Sequence, residues 1–258
     1  MKKFVMDLSV VDNVPLNANY FLLKLTSDRK LPVMLPGQFV EVKVESSPNT
    51  FLRRPISINF VSSESNELWL LIQIIGDGTR SLSALKKGDV LNLILPLGNS
   101  FTIPENSSKS LLLVGGGVGT APMLFFGKLL KENGFTPNFL LGARSAGDLL
   151  QLDEFEKYGN VYTTTEDGSS GEKGYVTQHS ILQAKTFDHI YTCGPKPMMV
   201  AVAKHAKLND IECEVSLENS MACGFGVCLC CVENTINGHV CACTDGPIFN
   251  IKDLKWQI

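Results

Sequence analysis

Apolar and polar positions along the chain change their period twice. Up to about Ile103, short strand-like runs bounded by Pro and Gly occupy residues 20–25, 38–44, 56–60, 67–75 and 90–95. Runs of this length and punctuation predict a small antiparallel barrel. From Ser110 to about Leu217, apolar runs at 111–114, 138–141, 161–165, 190–193 and 213–217 alternate with helical patterns. That alternation predicts a parallel sheet with crossover helices. A helix over 122–133 has Thr120 as its N-cap, Pro122 in its first turn and Gly134 as its stop. After Glu218 neither period survives, and a cysteine-rich loop leads into a hairpin-like tail.

Three domains are therefore expected: a barrel over 1–104, an α/β domain over 105–214 and a small domain over 215–258. The 258 residues are 44% hydrophobic and 19% charged, which supplies a core and excludes intrinsic disorder. A net charge of -3, with Lys and Arg dispersed, offers no basic stripe for nucleic acid. No 18-residue apolar run exists to span a bilayer, and MKKFVMDLSV lacks the apolar core of a signal peptide. A cytoplasmic location is the expectation.

In a reducing compartment crowded cysteines call for a ligand rather than disulfides. Of eight cysteines, six lie between Cys223 and Cys243. Cys223, Cys228 and Cys231 form C-x4-C-x2-C, and Cys243 follows after eleven intervening residues. This is plant-type [2Fe-2S] spacing. Gly224 and Gly226 allow the loop to wrap a cluster and aim backbone N–H groups at its sulfurs. A zinc site on Cys228, Cys231, Cys241 and Cys243 is the alternative, although its second half is C-x-C. Cys241 competes with Cys243 as the fourth ligand. Cys230 is expected to point away, and Cys193 and Cys213 to be plain buried thiols.

Three further motifs suit phosphate and nucleotide chemistry. The strand over 111–114 runs into GGGVGTAP, where Gly115, Gly116, Gly117, Gly119 and Thr120 form either a dinucleotide turn or a structural strand-to-helix turn. Arg144, after the next strand, stands where an acidic residue would hold a ribose 2′-hydroxyl and so argues for NADP. CGPKPMM brings Cys193, Gly194 and Pro195 to the carboxyl edge of the sheet, either as a ligand loop or as a Pro-rich helix start with Met198 and Met199 as core filler. In the barrel, Arg53 and Arg54 precede Pro55, Ile56 and Ser57, and GDGT supplies Gly76, Gly78 and Thr79. A guanidinium beside a backbone nest and a hydroxyl would hold a pyrophosphate; a solvated arginine pair and a hairpin turn are the plainer readings.

Together RPIS, GDGT, PLGN, GGGVGTAP and CGP resemble the ferredoxin-reductase type of flavoprotein. With MACGFGVCLCCVE and CTDGP in the tail, the resemblance narrows to the electron-transfer subunits of class 1B dihydroorotate dehydrogenases. It implies FAD in the barrel, NAD on the sheet and a [2Fe-2S] cluster in the tail. Arg54 would then bind the FAD pyrophosphate, Pro55, Ile56 and Ser57 would line the flavin, and Leu71, Ile72 and Gln73 would hold the ribityl and ring through backbone contacts. Gly78 and Thr79 would make the second phosphate contact, with Cys223, Cys228, Cys231 and Cys243 as iron ligands. The implied partner is an FMN-containing catalytic subunit that oxidises dihydroorotate to orotate in pyrimidine synthesis, in a heterotetramer of two chains of each kind. The family's NAD preference outweighs the Arg144 argument.

Electron counting then assigns the roles: nicotinamide exchanges hydride, iron-sulfur clusters exchange single electrons, and a flavin does both. No acid-base side chain is required of this chain, and none is assigned. Another flavin and iron-sulfur reductase, such as a sulfide dehydrogenase or a ferredoxin reductase complex, shares these parts, whereas a zinc-stabilised binding module would lack redox activity.

Overall fold

A computed structural model describes residues 2–45 and 47–258. They form two compact units: Met1–Ser100 with Asn219–Glu233 and Val240–Pro247, and Phe101–Glu218 with Asn234–His239 and Ile248–Ile258. The first break falls just before the boundary expected at 104, and the tail expected as a third domain contributes to both units.

In the first unit, β1 (Phe4–Pro15), β2 (Tyr20–Thr26), β3 (Phe39–Val42), β4 (Arg54–Ser57), β5 (Phe60–Ser62), β6 (Glu67–Gln73) and β7 (Val90–Leu97) form one antiparallel sheet. Its order is β4-β3-β7-β1-β2-β6-β5. Consecutive strands β4 and β5 thus lie at opposite edges, yet only Ile58 and Asn59 separate them. Three chain steps span about 10 Å at most, so the sheet must curl until its edges approach. The two linking residues mark the seam: Ile58 N–H donates to Gln38 O on one side and Asn59 N–H to Trp69 O on the other. Leu8, Leu23, Leu25, Leu68, Leu70, Leu93 and Leu95 are fully buried in this sheet, each stabilising by about 1.5–3 kcal/mol relative to exposure. The run expected at 56–60 is therefore two strands, and GDGT opens helix α1 (Asp77–Ser83) instead of closing a hairpin.

The second unit carries β8 (Leu111–Gly116), β9 (Asn138–Ala143), β10 (Asn160–Thr165), β11 (Glu172–Lys173), β12 (His189–Cys193) and β13 (Glu212–Ser216). Helices α2 (Ala121–Glu132), α3 (Leu152–Glu156), α4 (Ile181–Ala184) and α5 (Lys196–Leu208) connect them. In the tail, β14 (Val232–Thr235) and β15 (Gly238–Cys241) make the hairpin, and β16 (Ile248–Asn250) adds an antiparallel edge to β13. The sheet order β11-β10-β9-β8-β12-β13-β16 grows outward from β8 in both directions. Chain order therefore reverses between β8 and β12, and ligands of open parallel sheets collect at the carboxyl ends beside such a reversal.

Helix α2 ends as expected at Gly134: Gly134 N–H donates to Lys131 O and Phe135 N–H to Leu130 O, a Schellman closure. Its start differs. A 3-10 turn over Gly117–Thr120 precedes it, and the Thr120 hydroxyl donates back to Gly117 O at 3.0 Å instead of capping α2. Beneath the sheet Phe101, Phe126 and Tyr191 pack ring against ring, with Tyr191 OH donating to Thr102 O at 2.8 Å.

Candidate functional site

The two arginines of the barrel have different surroundings. Arg53 Nη1 donates to Glu41 O and Asn92 O at 3.2 and 3.0 Å, so its guanidinium ties β3 to β7. Arg54 instead runs along GDGT: a β-carbon built on Gly78 would stand 3.1 Å from both Arg54 Cδ and Thr50 Cγ2. The two phosphate motifs, 22 residues apart in sequence, are thus neighbours in space. Thr79 Oγ1 accepts from Ile75 and Gly76 N–H at 2.9 and 3.2 Å and approaches Gly76 O at 3.1 Å. Its hydroxyl thereby organises the turn, and the first N–H groups of α1 are the donors that face outward from it. Pro55, Ile56 and Ser57 lie half-buried on β4, which approaches β6. On β6, Leu71 and Ile72 are buried and Gln73 is half-buried, so the strand offers its main chain more than side chains. A guanidinium beside a turn that has no side chain at Gly76 and Gly78 fits a pyrophosphate.

In the cysteine loop, backbone N–H groups face sulfur. Phe225 N–H points to Cys223 Sγ at 3.5 Å, Gly226 N–H to Cys243 Sγ at 3.2 Å, Cys230 N–H to Cys228 Sγ at 3.5 Å and Cys243 N–H to Cys231 Sγ at 3.4 Å. All four predicted ligands receive at least one such contact, as thiolates do around a cluster. Burial pushes the Cys223 thiol up, but N–H groups of Phe225, Cys228 and Val227 outweigh it and bring the thiol down to about 6. Cys241 N–H instead bonds Asp245 Oδ2 at 3.0 Å, and Cys228 and Cys230 are both exposed. Among the described residues no three His, Cys, Asp or Glu side chains close into a single-ion shell; a two-iron cluster distributes its ligands in pairs over two metals.

Glu41, on β3, carried no sequence signal because it sits inside a strand. It is fully buried, and neither carboxylate oxygen has a hydrogen-bond partner. Burial raises it to about 7, against the lowering influence of Arg54 and Arg53. Its side chain feels Arg54 and Arg53 on one hand and Cys223 on the other, with Gly224 against its Cγ.

In the second unit, the glycines of GGGVG make room for the chain's own atoms. A β-carbon on Gly115 would meet Thr120 at 2.9 Å, and one on Gly119 would meet Cys193 O and Gly194 at 2.5 Å. One on Gly116 would meet Met198 Sδ at 2.4 Å. The turn after β8 and the CGP loop after β12 thus close on each other at the reversal of strand order. Gly117 leads the 3-10 turn, and Pro195 is the N-cap of α5, so the N-terminal turns that follow β8 and β12 open at the same edge. Met199 is core, but Met198 is half-exposed.

A second group that the sequence did not reveal is Glu218, just past β13. Its Oε1 lies 3.9 Å from Cys193 Sγ. Because β12 and β13 are adjacent parallel strands, their ends place the two groups together. Burial raises both the Glu218 carboxyl and the Cys193 thiol. Arg144, at the end of β9, accepts from Asp167 N–H at its carbonyl at 3.2 Å, which sets an acidic residue beside the expected ribose end. The sheet edge thus brings the N-terminal turns after β8 and β12 together with an acid-thiol pair at the strand reversal, and the N–H donors of such turns fit a dinucleotide pyrophosphate.

Comparison with known proteins agrees with this division. Residues 113–204 match the oxidoreductase NAD-binding domain, and residues 218–255 match the iron-sulfur cluster binding domain of dihydroorotate dehydrogenase B. The dihydroorotate dehydrogenase B (NAD(+)) electron transfer subunit of Shouchella clausii is 35% identical over 98% of this chain and 99% of its own length. That of Listeria monocytogenes serovar 1/2a is 39% identical over 86% of this chain and 88% of its own. Among solved structures, an NADH-dependent reduced ferredoxin-NADP oxidoreductase superposes with a TM-score of 0.87 at 30% identity, covering 96% of this chain and 90% of that one. The ferredoxin reductase of carbazole 1,9a-dioxygenase, at 22% identity and a TM-score of 0.66 over 81% of this chain and 65% of its own, shares the fold. From the cysteine spacing, the order of the nucleotide motifs and near full-length identity to its relatives, the chain belongs to the family of dihydroorotate dehydrogenase B electron transfer subunits.

Proposed function

We propose that this chain carries electrons from an FMN-containing dihydroorotate dehydrogenase subunit to NAD+, in de novo pyrimidine synthesis. The observation that carries the reading is the loop in which four cysteines at [2Fe-2S] spacing each receive a backbone N–H, in the same unit as the Arg54–Gly78 pair. When bound, FAD and the cluster supply the conversion between hydride and single-electron chemistry.

The chain's own residues do the holding. Arg54, Gly78 and Thr79 take the FAD pyrophosphate; Pro55, Ile56 and Ser57, with the main chain of Leu71, Ile72 and Gln73, line the flavin. Cys223, Cys228, Cys231 and Cys243 hold the irons, and the N–H groups facing them offset the negative charge of the thiolates. Gly115, Gly116, Gly117, Gly119 and Thr120 shape the turn for the dinucleotide pyrophosphate. Cys193, Gly194 and Pro195 border its nicotinamide end, with Glu218 beside Cys193 as a polar wall.

Phe225, Val227 and Leu229 are exposed by 45%, 73% and 62% between the ligands. Apolar side chains left in water beside a cluster suit a surface that the catalytic subunit covers. The assembly is proposed to be a heterotetramer of two chains of each kind, in the cytoplasm; among the described residues no helix is long and apolar enough to cross a membrane. Reconstitution tests the reading. The chain alone should reduce a dye with NADH and leave dihydroorotate untouched, and adding the FMN subunit should couple dihydroorotate oxidation to NAD+ reduction. Failure to couple, with both subunits loaded, would remove the dihydroorotate assignment and favour another flavin and iron-sulfur reductase.

A further inference from the structure

The PLGN segment carries no titratable side chain and no cysteine, and the fold uses it as a joint. Pro96 and Leu97 end β7, and Gly98 and Asn99 turn away from it. The barrel holds this turn from within. Gln38, fully buried, donates from Nε2 to Gly98 O at 3.0 Å, while its Oε1 accepts the Leu35 N–H at 2.7 Å. The Gln38 carbonyl accepts the N–H of Ile58, the residue after β4, at 3.0 Å. On its other side the turn grips the segment that follows Cys243. Asn99 N–H donates to Gly246 O at 2.7 Å, and Asn99 Nδ2 donates to Asp245 O at 3.0 Å. A β-carbon on Gly98 would stand 2.5 Å from Pro247 Cδ, so the two chains touch along their backbones. Leu97 reaches the other arm of the loop, its Cδ1 standing 3.0 Å from a β-carbon built on Gly224.

Both arms of the cysteine segment thus rest on one four-residue turn. From Asp245 the contacts run back to sulfur. Asp245 Oδ2 accepts the Cys241 N–H and the Thr244 hydroxyl, each at 3.0 Å. A β-carbon on Gly226 would lie 3.0 Å from Thr244 Cγ2, and Gly226 N–H faces Cys243 Sγ at 3.2 Å. We propose that the PLGN turn locks the cysteine segment to the FAD barrel, with Asn99 as the positioning residue that sets where Cys243 stands. Groups behind the ligands of a metal centre orient those ligands, and a site keeps its geometry only when that support is itself fixed by hydrogen bonds. This inference rests on the reading of Cys243 as an iron ligand.

Iron release tests it on the FAD- and cluster-loaded chain. Asn99→Ala and Asn99→Asp both keep the backbone bond to Gly246 O and lose the side-chain donor. Asn99→Asp, equal in size, also sets a carboxylate oxygen against Asp245 O. Under reducing conditions with excess bathophenanthroline, iron should appear in the chelator severalfold faster from Asn99→Ala than from the parent chain, and faster again from Asn99→Asp. The electron paramagnetic resonance spectrum of the reduced cluster should shift in both, with FAD per chain unchanged. That order marks a hydrogen-bond donor, because a residue that only fills space would tolerate the isosteric change. Parent-like release with an unchanged spectrum in both variants would overturn the inference, as would loss of FAD in step with iron, the sign of a loosened barrel. Cys243→Ser runs beside them: a cluster retained there with the parent spectrum overturns the ligand reading beneath the inference.

Discussion

Gly224 stands against Glu41: a β-carbon on the glycine would lie 2.8 Å from Glu41 Cγ and 3.0 Å from Leu97 Cδ1. The residue after Cys223, the first proposed cluster ligand, is thereby seated on β3 and β7 of the sheet that also carries Arg54. Its φ of +76° disfavours any side chain as well. Gly224→Ala should therefore displace the ligand loop while the barrel stays folded. The expected result is loss of most iron per chain with FAD retained; full iron content and an unchanged electron paramagnetic resonance spectrum would refute it.

Arg54 and Arg53 should behave differently although they are adjacent. If Arg54 holds the FAD pyrophosphate as proposed, Arg54→Ala deletes a charge-assisted contact of a kind worth about 1.5–3 kcal/mol, and FAD affinity should fall roughly tenfold to a hundredfold. Arg53 ties Glu41 O to Asn92 O, and Arg53→Ala should chiefly lower the urea midpoint. Flavin titration and denaturation of both variants check the split, and a reversed pattern would exchange their roles.

His189 lies at the end of the parallel sheet away from the ligand edge, stacked on Tyr191 at 4.1 Å, with Nε2 buried and unpartnered. Burial, outweighing the attraction of Glu212, lowers it from 6.5 to about 4. The folded chain thus resists a proton that the unfolded chain accepts below its ordinary value. The sign follows: this group costs nothing above pH 6.5, and stability falls as pH drops from there toward 4. The loss from this group is on the order of 2–3 kcal/mol. In His189→Phe the decline in urea midpoint between pH 7 and pH 4.5 should be shallower than in the parent chain; an equal slope would place the acid sensitivity elsewhere.

Legibility in the sequence followed the range of the interaction that defines each feature. Strands β8, β9, β12 and β13 show as short runs because they are buried along most of their length, whereas β10, more exposed, shows through its β-branched and aromatic residues. β1 did not show, although Leu8 and Val10 alternate with exposed Asp7 and Ser9. A bulge between Val10 and Asp12 shifts its register and breaks the period. The break at Ile58 and Asn59 depends on the curl of the whole sheet, and β16 is three residues whose pairing with β13 is wholly long-range. The candidate cysteine ligands were legible because three of them lie within nine residues of one loop. Glu218 and Met198 were not, because their partners, Cys193 and Gly116, meet them only through strand adjacency.

The fourth iron ligand gives the sharpest remaining test. Cys241 and Cys243 are both buried and both lie near Cys231. Their backbones point in different directions: Cys243 N–H faces Cys231 Sγ and its own sulfur receives Gly226 N–H, whereas Cys241 N–H is committed to Asp245 Oδ2. The Cys243 sulfur thus receives an N–H of the ligand loop, whereas the Cys241 thiol meets that loop through the Cys231 side chain. Cys243→Ser should lose the cluster, or shift its electron paramagnetic resonance spectrum if serine oxygen substitutes as a ligand. Cys241→Ser should keep both iron and spectrum, at a modest cost in stability for a buried thiol beside Cys231. A cluster retained unchanged in Cys243→Ser and lost in Cys241→Ser would transfer the ligand role to Cys241 and require the loop to turn by one strand residue pair.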